Sequence, residues 1–386
     1  MVKEIKNLEK AGKRIEKAIR DKEKIILYGD TDLDGVSSVI VLAETIKTLA
    51  GEVSAIYFPD RESEGYGISR KGLEALKCLA PALLIALDCG ISNFEEIKQA
   101  RKIGFEVLVI DHHQVLDELP RAKIIVDPKQ KGDKYPFKEL ATVGIVFKLS
   151  RVLLKEKMSR NLKRSLLELT AIGTVADMMP QIEDNKEFIK EGYASLESSW
   201  RPGIKAFFET NFLKNYDLVQ KISKIISILN VRELENNLPA SFRLLTVPSE
   251  KEAKEIILKL KEKNEIRKER IQNILEEVSE KISKKKEPII FEGESGWDFA
   301  LISSVASFLV QKFKKPAFIF KKLKEESQGT VRVPFPVDSV SLMKKCKKLL
   351  ISYGGHAKAS GFRIKNGNLE KFKSCLIKGY NPNTKN

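Results

Sequence analysis

Cysteine and long apolar runs are both scarce in this chain of 386 residues. The four cysteines (Cys78, Cys89, Cys346 and Cys375) are scattered without close pairing. The sequence therefore predicts neither a zinc cluster nor a disulfide framework, and a reducing cytoplasm fits it best. No run of about 18 uncharged apolar residues occurs, and the amino terminus is a charged amphipathic stretch. We predict no signal peptide, no membrane span and a cytoplasmic location.

Acidic residues are fewer than basic residues. The chain carries 69 Lys and Arg against 53 Asp and Glu, a formal net charge of +16. Such a balance repels cations and attracts phosphate backbones or anionic membranes, which makes nucleic acid a candidate partner. The chain is also too long for one ordinary compact core, so two domains are expected.

The order of apolar runs predicts an α/β fold. In the first 130 residues, helical patterns alternate with five strand-like runs: IILYGD, VSAIYFPD, ALLIALD, EVLVID and KIIVD. Residues from about 140 to 245 have helical periodicity, and residues 250–286 contain no Gly or Pro, which indicates a long helix. Strand-like PIIF, helical ALISSVASFLVQKF and strand-like PAFIF follow Pro288. We predict a parallel-sheet domain at 1–245, a linking helix at 246–286 and a smaller α/β domain at 287–386.

Aspartate directly follows predicted strands at Asp30, Asp88, Asp111 and Asp127. The first strand is followed by three acids within five residues, Asp30-Thr31-Asp32-Leu33-Asp34. The carboxyl ends of parallel strands form the ligand crevice of an open sheet, so these acids predict a cation site. The alternative is that Asp merely favours turns and helix caps; this explains any one of them well, but the triple less well.

Histidine is rarer still, with only His112, His113 and His356. Two of the three stand together directly after a strand, in Asp111-His112-His113. Imidazole and carboxylate together suit manganese, and also magnesium or zinc. With Asp32, Asp34, Asp88 and Asp177 the chain has enough ligands for two ions, an arrangement used in phosphoryl displacement. Taken alone, a His-His pair after a strand is more often an ordinary loop feature, and the acidic strand ends are what favour the metal site.

In these motifs the chain resembles the DHH family of phosphoesterases, in particular its RecJ-like exonuclease branch. Asp111-His112-His113 is similar to the family signature, and Asp30-Thr31-Asp32-Leu33-Asp34-Gly35 is similar to the first RecJ motif. The resemblance covers nearly the whole chain. It continues through Pro59-Asp60-Arg61, Glu64-Gly65-Tyr66-Gly67, Leu87-Asp88-Cys89-Gly90, Gly144-Ile145-Val146-Phe147, Gly173-Thr174-Val175-Ala176-Asp177, and Asn264 with Arg267 and Arg270.

The resemblance implies two divalent ions, Mn²⁺ or Mg²⁺, and a set of site residues. The implied metal ligands are Asp32, Asp34, Asp88, His112 and Asp177, with Asp30 as a ligand or as an acceptor behind the ligands. His113 is expected to hold the scissile phosphate, and Asp111 to orient a ligating imidazole.

The C-terminal domain resembles the DHH-associated domain, with expected substrate contacts at Arg332, Gly354, Gly355 and His356. Tyr66, Phe137 and Trp297 are candidates for base stacking, although a core role is at least as reasonable for each.

Three positions depart from the family pattern. Tyr28 stands where many relatives have histidine, which puts one metal position in doubt. Asn230-Val231-Arg232 lacks the Gly-Arg usual in bacterial RecJ, and Ser303-Ser304 interrupts a stretch that is usually Gly-rich.

The implied function is a metal-dependent exonuclease that degrades single-stranded DNA from 5′ to 3′ and releases mononucleotides. Single-stranded DNA is the favoured partner, RNA is an alternative, and replication or repair proteins are further candidates. One rival function is a phosphodiesterase of the same superfamily that cleaves oligoribonucleotides or dinucleotides. The other is a non-enzymatic replication scaffold, against which the retained carboxylates argue.

Overall fold

The computed structural model describes residues 4–115, 118–283 and 287–380. The chain divides into two compact units, residues 1–262 and 263–386. The division falls at a different place from the predicted boundaries at 245 and 286. Residues 284–286 of the predicted linking helix and the last six residues of the predicted second domain lie outside the described ranges.

A five-stranded parallel sheet forms the centre of the N-terminal unit. Its strands are β1 (Ile25–Gly29), β2 (Ala55–Tyr57), β3 (Ala82–Leu87), β4 (Phe105–Ile110) and β5 (Ile124–Val126). They are arranged in the order β2-β1-β3-β4-β5, and every neighbouring pair is parallel. The chain moves outward from β1 to β2 and then crosses to β3 on the other side of β1. Such a reversal marks the ligand crevice of an open sheet.

Alternate residues of each strand enter two different cores, since successive side chains point to opposite faces. Ile25 and Leu27 of β1 belong to the larger core, whereas Ile26 and Tyr28 belong to the smaller. Every residue of β1 and β3 is buried, which is why these runs are continuously apolar rather than alternating.

Ten helices of the N-terminal unit are described, together with a small hairpin, β6 (Leu234–Glu235) and β7 (Leu238–Pro239). The helices are α1 (Leu8–Arg20), α2 (Leu33–Thr48), α3 (Arg70–Leu76), α4 (Phe94–Ile103), α5 (Thr142–Leu154), α6 (Arg160–Ala176), α7 (Glu183–Leu196), α8 (Pro202–Phe208), α9 (Leu218–Leu229) and α10 (Ala240–Thr246). Helices α1, α2, α5 and α6 contribute to the larger core, and α3 and α4 cover the other face of the sheet.

One helix, α11 (Glu250–Ser283), runs for 34 residues. Its first turns bury Ala253, Ile257 and Leu260 in the core of the N-terminal unit. Its later turns bury Ile271, Ile274 and Val278 in a core of the C-terminal unit. The absence of Gly and Pro lets the helix continue without interruption.

The C-terminal unit is built on a mixed sheet of five strands. The strands are β8 (Ile290–Glu294), β9 (Ala317–Lys322), β10 (Glu326–Arg332), β11 (Leu350–Gly355) and β12 (Ala359–Lys365), in the order β11-β12-β10-β9-β8. Strands β8 and β9 are parallel and the other pairs are antiparallel. One face packs on α11 and α12 (Phe299–Phe313), and the other on α13 (Ser339–Lys344) and α14 (Leu369–Gly379). The predicted α/β fold class is confirmed.

The prediction that the cysteines form no disulfide was wrong. Cys346 and Cys375 form a disulfide, with their Cα atoms 6.1 Å apart. Cys346 follows α13 and Cys375 lies within α14, so the packing of these elements against one sheet face brings the two residues together. A separation of 29 residues gave no signal of this pairing in the sequence. The other two cysteines are free, Cys78 exposed and Cys89 buried.

Within the described residues, no helix has both the length and the apolar character needed to cross a membrane.

Candidate metal centre

Acidic and imidazole side chains converge where the parallel strands of the N-terminal unit end. Asp30, Asp88 and Asp111 directly follow β1, β3 and β4, and all three are buried. Three groups of side chains each place their ligand atoms within 4.8 Å of one another. They are Asp34 with His112 and Asp177, Asp88 with Asp111 and His113, and Asp30 with Asp32 and Asp88. The structure thus brings together all eight residues that the sequence predicted for this site.

The imidazole of His112 faces three carboxylates. Its Nε2 lies 3.4 Å from Asp88 Oδ1, 3.4 Å from Asp177 Oδ2 and 3.7 Å from Asp34 Oδ2. Ligand atoms that share one ion at bond lengths of about 2.0–2.2 Å lie about 3–4 Å from each other. The spacing of these four side chains therefore suits ligands around a common cation.

Asp34 is held in place by the beginning of α5. The backbone N–H groups of Thr142 and Val143 each donate to one of its carboxylate oxygens, both at 2.8 Å. The Thr142 hydroxyl donates to Asp88 Oδ1 at 3.0 Å. Because the first amides of a helix lack partners within the helix and carry partial positive charge, they stabilise anions at this point. One helix terminus thereby fixes carboxylates that follow two different strands.

The cluster carries unfavourable negative charge. Burial, and then the charge of Asp32, raises the pKa of Asp34 to about 7. Burial, and then the charge of Asp34, raises the pKa values of Asp88 and Asp177 well above the ordinary aspartate value. Burial also lowers the pKa of His112 well below its usual range, which leaves the imidazole neutral, the form that binds metals. The donor set of neutral imidazole and crowded carboxylates fits divalent cations.

Asp30 and Asp32 are bound by an arginine to which the sequence had given no role. Arg61 Nε donates to Asp30 Oδ1 at 2.9 Å and Arg61 Nη2 to Asp32 Oδ2 at 2.9 Å, with a further close ion pair to Asp30. Burial, and then the positive charge of Arg232, lowers the pKa of Arg61 to about 10. Arg61 therefore remains charged at neutral pH and offsets part of the repulsion among the acids. The contacts of Asp30 are compatible with either predicted role, a metal ligand or an acceptor behind the ligands.

His113 and Asp111 form a hydrogen-bonded pair beside the cluster. Asp111 Oδ1 lies 2.7 Å from His113 Nδ1, and Asp111 also accepts from the backbone N–H groups of His112 and Ile91. The imidazole that Asp111 contacts is therefore that of His113. Burial opposes both charged forms, but their mutual attraction lowers the pKa of Asp111 to about 2 and raises the pKa of His113. The Tyr66 hydroxyl donates to the Asp88 carbonyl at 2.9 Å and lies 3.1 Å from His113 Nδ1.

The contacts of Arg61 and Thr142 at this site were not predicted, and Tyr66 was predicted only as a candidate for base stacking. Arg61 lies within a motif that resembled the DHH pattern, so a signal was present without a chemical assignment. Thr142 follows Asp34 by 108 residues, and nothing in the local sequence indicates its contacts.

Tyr28, which stands at the position of the usual histidine, belongs to the smaller core. Its hydroxyl accepts from the backbone N–H of Ser69 at 3.0 Å, and its ring stacks on Tyr57. Burial raises the pKa of its phenol, so it remains protonated.

Gly35 is required because its Cα lies close to the backbone of Asp30 in the same motif. A Cβ at this position would lie 2.9 Å from the carbonyl carbon of Asp30 and still closer to its oxygen. We expect Gly35→Ala to displace Asp30 from Asp34 and to weaken Mn²⁺ binding by about tenfold, the lower end of the effect of disturbing groups behind metal ligands. Isothermal titration with Mn²⁺ measures this. Gly12→Ala is the control, because a Cβ there meets only ordinary contacts of 3.4 Å or more; equal affinities for all three proteins would contradict the prediction.

The predicted substrate contacts of the C-terminal unit are also brought together. Arg332 ends β10 and pairs with Ala359 of β12, while Gly355 of β11 pairs with Ser360. His356 then makes the tight turn into β12, donating from its backbone N–H to the Ala359 carbonyl at 2.7 Å. Gly355 adopts φ 127°, and a Cβ would lie 2.6 Å from the Ala359 carbonyl oxygen. Gly354 has open space above it.

The serines that depart from the family pattern hold basic side chains. Arg332 Nη2 donates to Ser303 Oγ at 2.5 Å, and Arg267 Nη2 donates to Ser304 Oγ at 2.9 Å. Ser303-Ser304 on α12 thus fixes the guanidinium groups of β10 and α11.

Comparison with known proteins agrees with this geometry. The model of the DHH family, N-terminal domain, matches residues 24–174, the segment that contains the strand ends and the Asp-His-His sequence. This segment of the chain is a DHH-family N-terminal domain. The whole chain is 33% identical over 383 residues to the single-stranded-DNA-specific exonuclease RecJ of Bacillus subtilis (strain 168), covering 97% of this chain and 48% of that protein. The chain spans about half the length of this relative.

Two solved structures are similar over 98% of the chain. RecJ of Thermus thermophilus in complex with Mn²⁺ matches with a TM-score of 0.81 and 24% identity, over 55% of that chain. An exonuclease RecJ bound to manganese matches with a TM-score of 0.76 and 25% identity, over 95% of that chain. The first likeness establishes the fold.

Proposed function

We propose that this chain is a metal-dependent exonuclease that hydrolyses single-stranded DNA from the 5′ end and releases mononucleotides. The observation that carries the proposal is the convergence of His112 with three buried carboxylates at the carboxyl ends of parallel strands. The names of the RecJ relative and of the manganese-bound RecJ structure support both substrate and metal.

Asp34, Asp88, His112 and Asp177 would hold one or both of two Mn²⁺ or Mg²⁺ ions, with Asp32 and Asp30 completing the set. When bound, two ions held by these residues would supply the Lewis-acid chemistry that activates water and neutralises charge on the phosphate oxygens.

Side chains of this protein orient the substrate and hold the metal-binding carboxylates in place. Asp111 accepts from His113 Nδ1, and the protonated imidazole can donate from Nε2 to a non-bridging phosphate oxygen. Arg61 keeps part of the carboxylate charge neutralised. In the C-terminal unit, Arg332 and His356 supply donors for neighbouring phosphates, and the bare backbone at Gly354 allows a sugar-phosphate chain to approach closely. Positioning and electrostatics therefore account for most of the acceleration.

The test is a time course on a long single strand labelled at either end, beside a dinucleotide, a matched RNA and a blunt duplex. We expect early release of labelled mononucleotide from the 5′ end of the DNA strand, no loss of the duplex, and complete arrest by excess EDTA. Raising salt should weaken substrate binding steeply, because phosphate contacts release counterions.

Other outcomes of this test identify the rivals. Rapid cleavage of the dinucleotide with the long strand intact would establish the short-substrate phosphodiesterase. Absence of hydrolysis with any substrate, by protein shown to bind Mn²⁺, would favour the non-enzymatic scaffold. Undiminished hydrolysis by metal-free protein in EDTA would exclude the two-ion centre.

A further inference from the structure

An exposed phenylalanine stands beside the basic groups of the C-terminal unit. Phe335 is 85% exposed, the highest value among the large apolar side chains of the described residues. It follows Arg332 by three residues, a distance of at most about 10 Å along the chain. By contrast, Phe137 and Trp297, which the sequence offered as candidates for base stacking, are buried core residues.

The segment that carries Phe335 is anchored at both ends. The backbone N–H of Val333 donates to the Lys358 carbonyl at 3.3 Å, and the backbone N–H of Ser339 donates to the Ala357 carbonyl at 2.7 Å. The Ser339 hydroxyl also donates to the His356 carbonyl at 3.0 Å. The Val333–Ser339 loop is therefore fixed to the turn that contains His356, the candidate phosphate donor.

The backbone on either side of Phe335 is stiff. Pro334 and Pro336 flank it, and each proline ring restricts φ and removes a backbone N–H. The loop thus presents an aromatic ring to solvent at little cost in conformational entropy on binding, as a preformed contact does.

The positive charge around the Phe335 ring indicates which kind of ligand it contacts. Residues 287–380 carry 17 Lys and Arg against 8 Asp and Glu, and Lys358 on the anchoring turn is exposed. Such a surface attracts a polyanion. The ligand that combines a polyanionic backbone with flat apolar faces is single-stranded nucleic acid, whose bases stack on exposed aromatic side chains in basic grooves.

We propose that Phe335 is a stacking platform for an unpaired base, next to the phosphates that Arg332 and His356 engage. The inference rests on the proposed function and adds a base contact to the phosphate contacts. Since every base has a π-face, the platform accepts any sequence. In a duplex the base faces are already occupied by their neighbours, so the platform favours single strands.

The test compares variants of the full chain in their binding to a fluorescently labelled oligothymidylate in EDTA, where hydrolysis does not interfere. We expect Phe335→Ala to weaken binding by about tenfold, equivalent to about 1.4 kcal/mol and on the scale of one base–aromatic stack. Phe335→Trp should retain affinity and Phe335→Leu should not, because an aliphatic side chain keeps apolar area without a π-face. Phe308→Ala is the matched control, an exposed aromatic (51%) of the same unit on α12, and should bind as the unchanged protein does.

A second ligand with the same phosphates but abasic sugars identifies the contact. The unchanged protein should bind it about tenfold more weakly than the oligothymidylate, whereas Phe335→Ala should bind both equally. Two results would contradict the proposal: Phe335→Ala binds oligothymidylate as tightly as the unchanged protein does, or it binds the abasic strand more weakly than the unchanged protein does. In either case Phe335 does not stack on a base, and a contact with another protein would explain its exposure better. If the unchanged protein neither binds nor degrades single strands, the proposed function itself fails.

Discussion

Asp88→Asn is expected to abolish Mn²⁺ binding at the centre and to lower the hydrolysis rate by at least about a thousandfold. Asp88 belongs to two of the three ligand groups described for the N-terminal unit and lies 3.4 Å from His112 Nε2 of the third, so its loss affects all three. Ions in such sites contribute several kcal/mol to transition-state stabilisation, and each ~1.4 kcal/mol is a tenfold change in rate. The measurements are isothermal titration with Mn²⁺ and the rate of mononucleotide release.

The same substitution should stabilise the metal-free protein. The pKa of Asp88 is raised above its unfolded value by burial and by Asp34, so the folded state favours the protonated form. At neutral pH, above the unfolded pKa, folding must therefore either bury the charge of Asp88 or bind a proton there, and a neutral amide of the same shape removes that cost. We expect the free energy of unfolding without metal to rise by about 1 kcal/mol or more, while the stabilisation that Mn²⁺ gives the unchanged protein disappears.

Glu168→Gln is the matched control for Asp88→Asn. Glu168 is another buried acid with a raised pKa, and it accepts from the Ser199 hydroxyl at 2.6 Å, away from the cluster. It should leave Mn²⁺ binding and hydrolysis near their original values. Retention of the Mn²⁺-dependent stabilisation by folded Asp88→Asn would remove Asp88 from the ligand set.

The sequence predicts the parts of the site that lie at strand ends. Continuous apolar runs identify buried parallel strands, and the carboxyl ends of such strands share one edge. Asp30, Asp88 and Asp111 could therefore be placed together before the structure was known. His112 and His113 follow one of these strands directly, which is why their position was predictable as well.

Contacts between distant segments could not be predicted in this way. The amides of Thr142 and Val143 reach Asp34 only because α5 packs beside α2 in the larger core. The pairing of Cys346 with Cys375 likewise depends on how α13 and α14 pack on the second sheet. Neither arrangement leaves a periodic or local pattern in the sequence.

The sequence also could not predict which imidazole Asp111 contacts. The order Asp-His-His does not reveal which imidazole the carboxylate contacts. Its backbone hydrogen bonds from Ile91 and His112 orient Asp111 so that Oδ1 lies 2.7 Å from Nδ1 of His113. The carboxylate thereby supports the imidazole proposed to contact phosphate.

Asp111→Asn should therefore lower kcat by about 100- to 1000-fold, the usual cost of losing one donor to transition-state charge, while leaving Mn²⁺ binding largely intact. The amide cannot accept from the His113 imidazole and from three backbone N–H groups as the carboxylate does, so the imidazole loses its fixed tautomer and orientation. Single-turnover hydrolysis at saturating substrate, beside Mn²⁺ titration, separates the two effects. Asp127→Asn is the control, since Asp127 also follows a strand of this sheet and is buried. Its carboxylate accepts from the backbone N–H of Lys129 instead, and it belongs to none of the ligand groups found among the described residues. An Asp111→Asn protein that lost its metal along with its rate would place Asp111 among the ligands and remove its role in orienting His113.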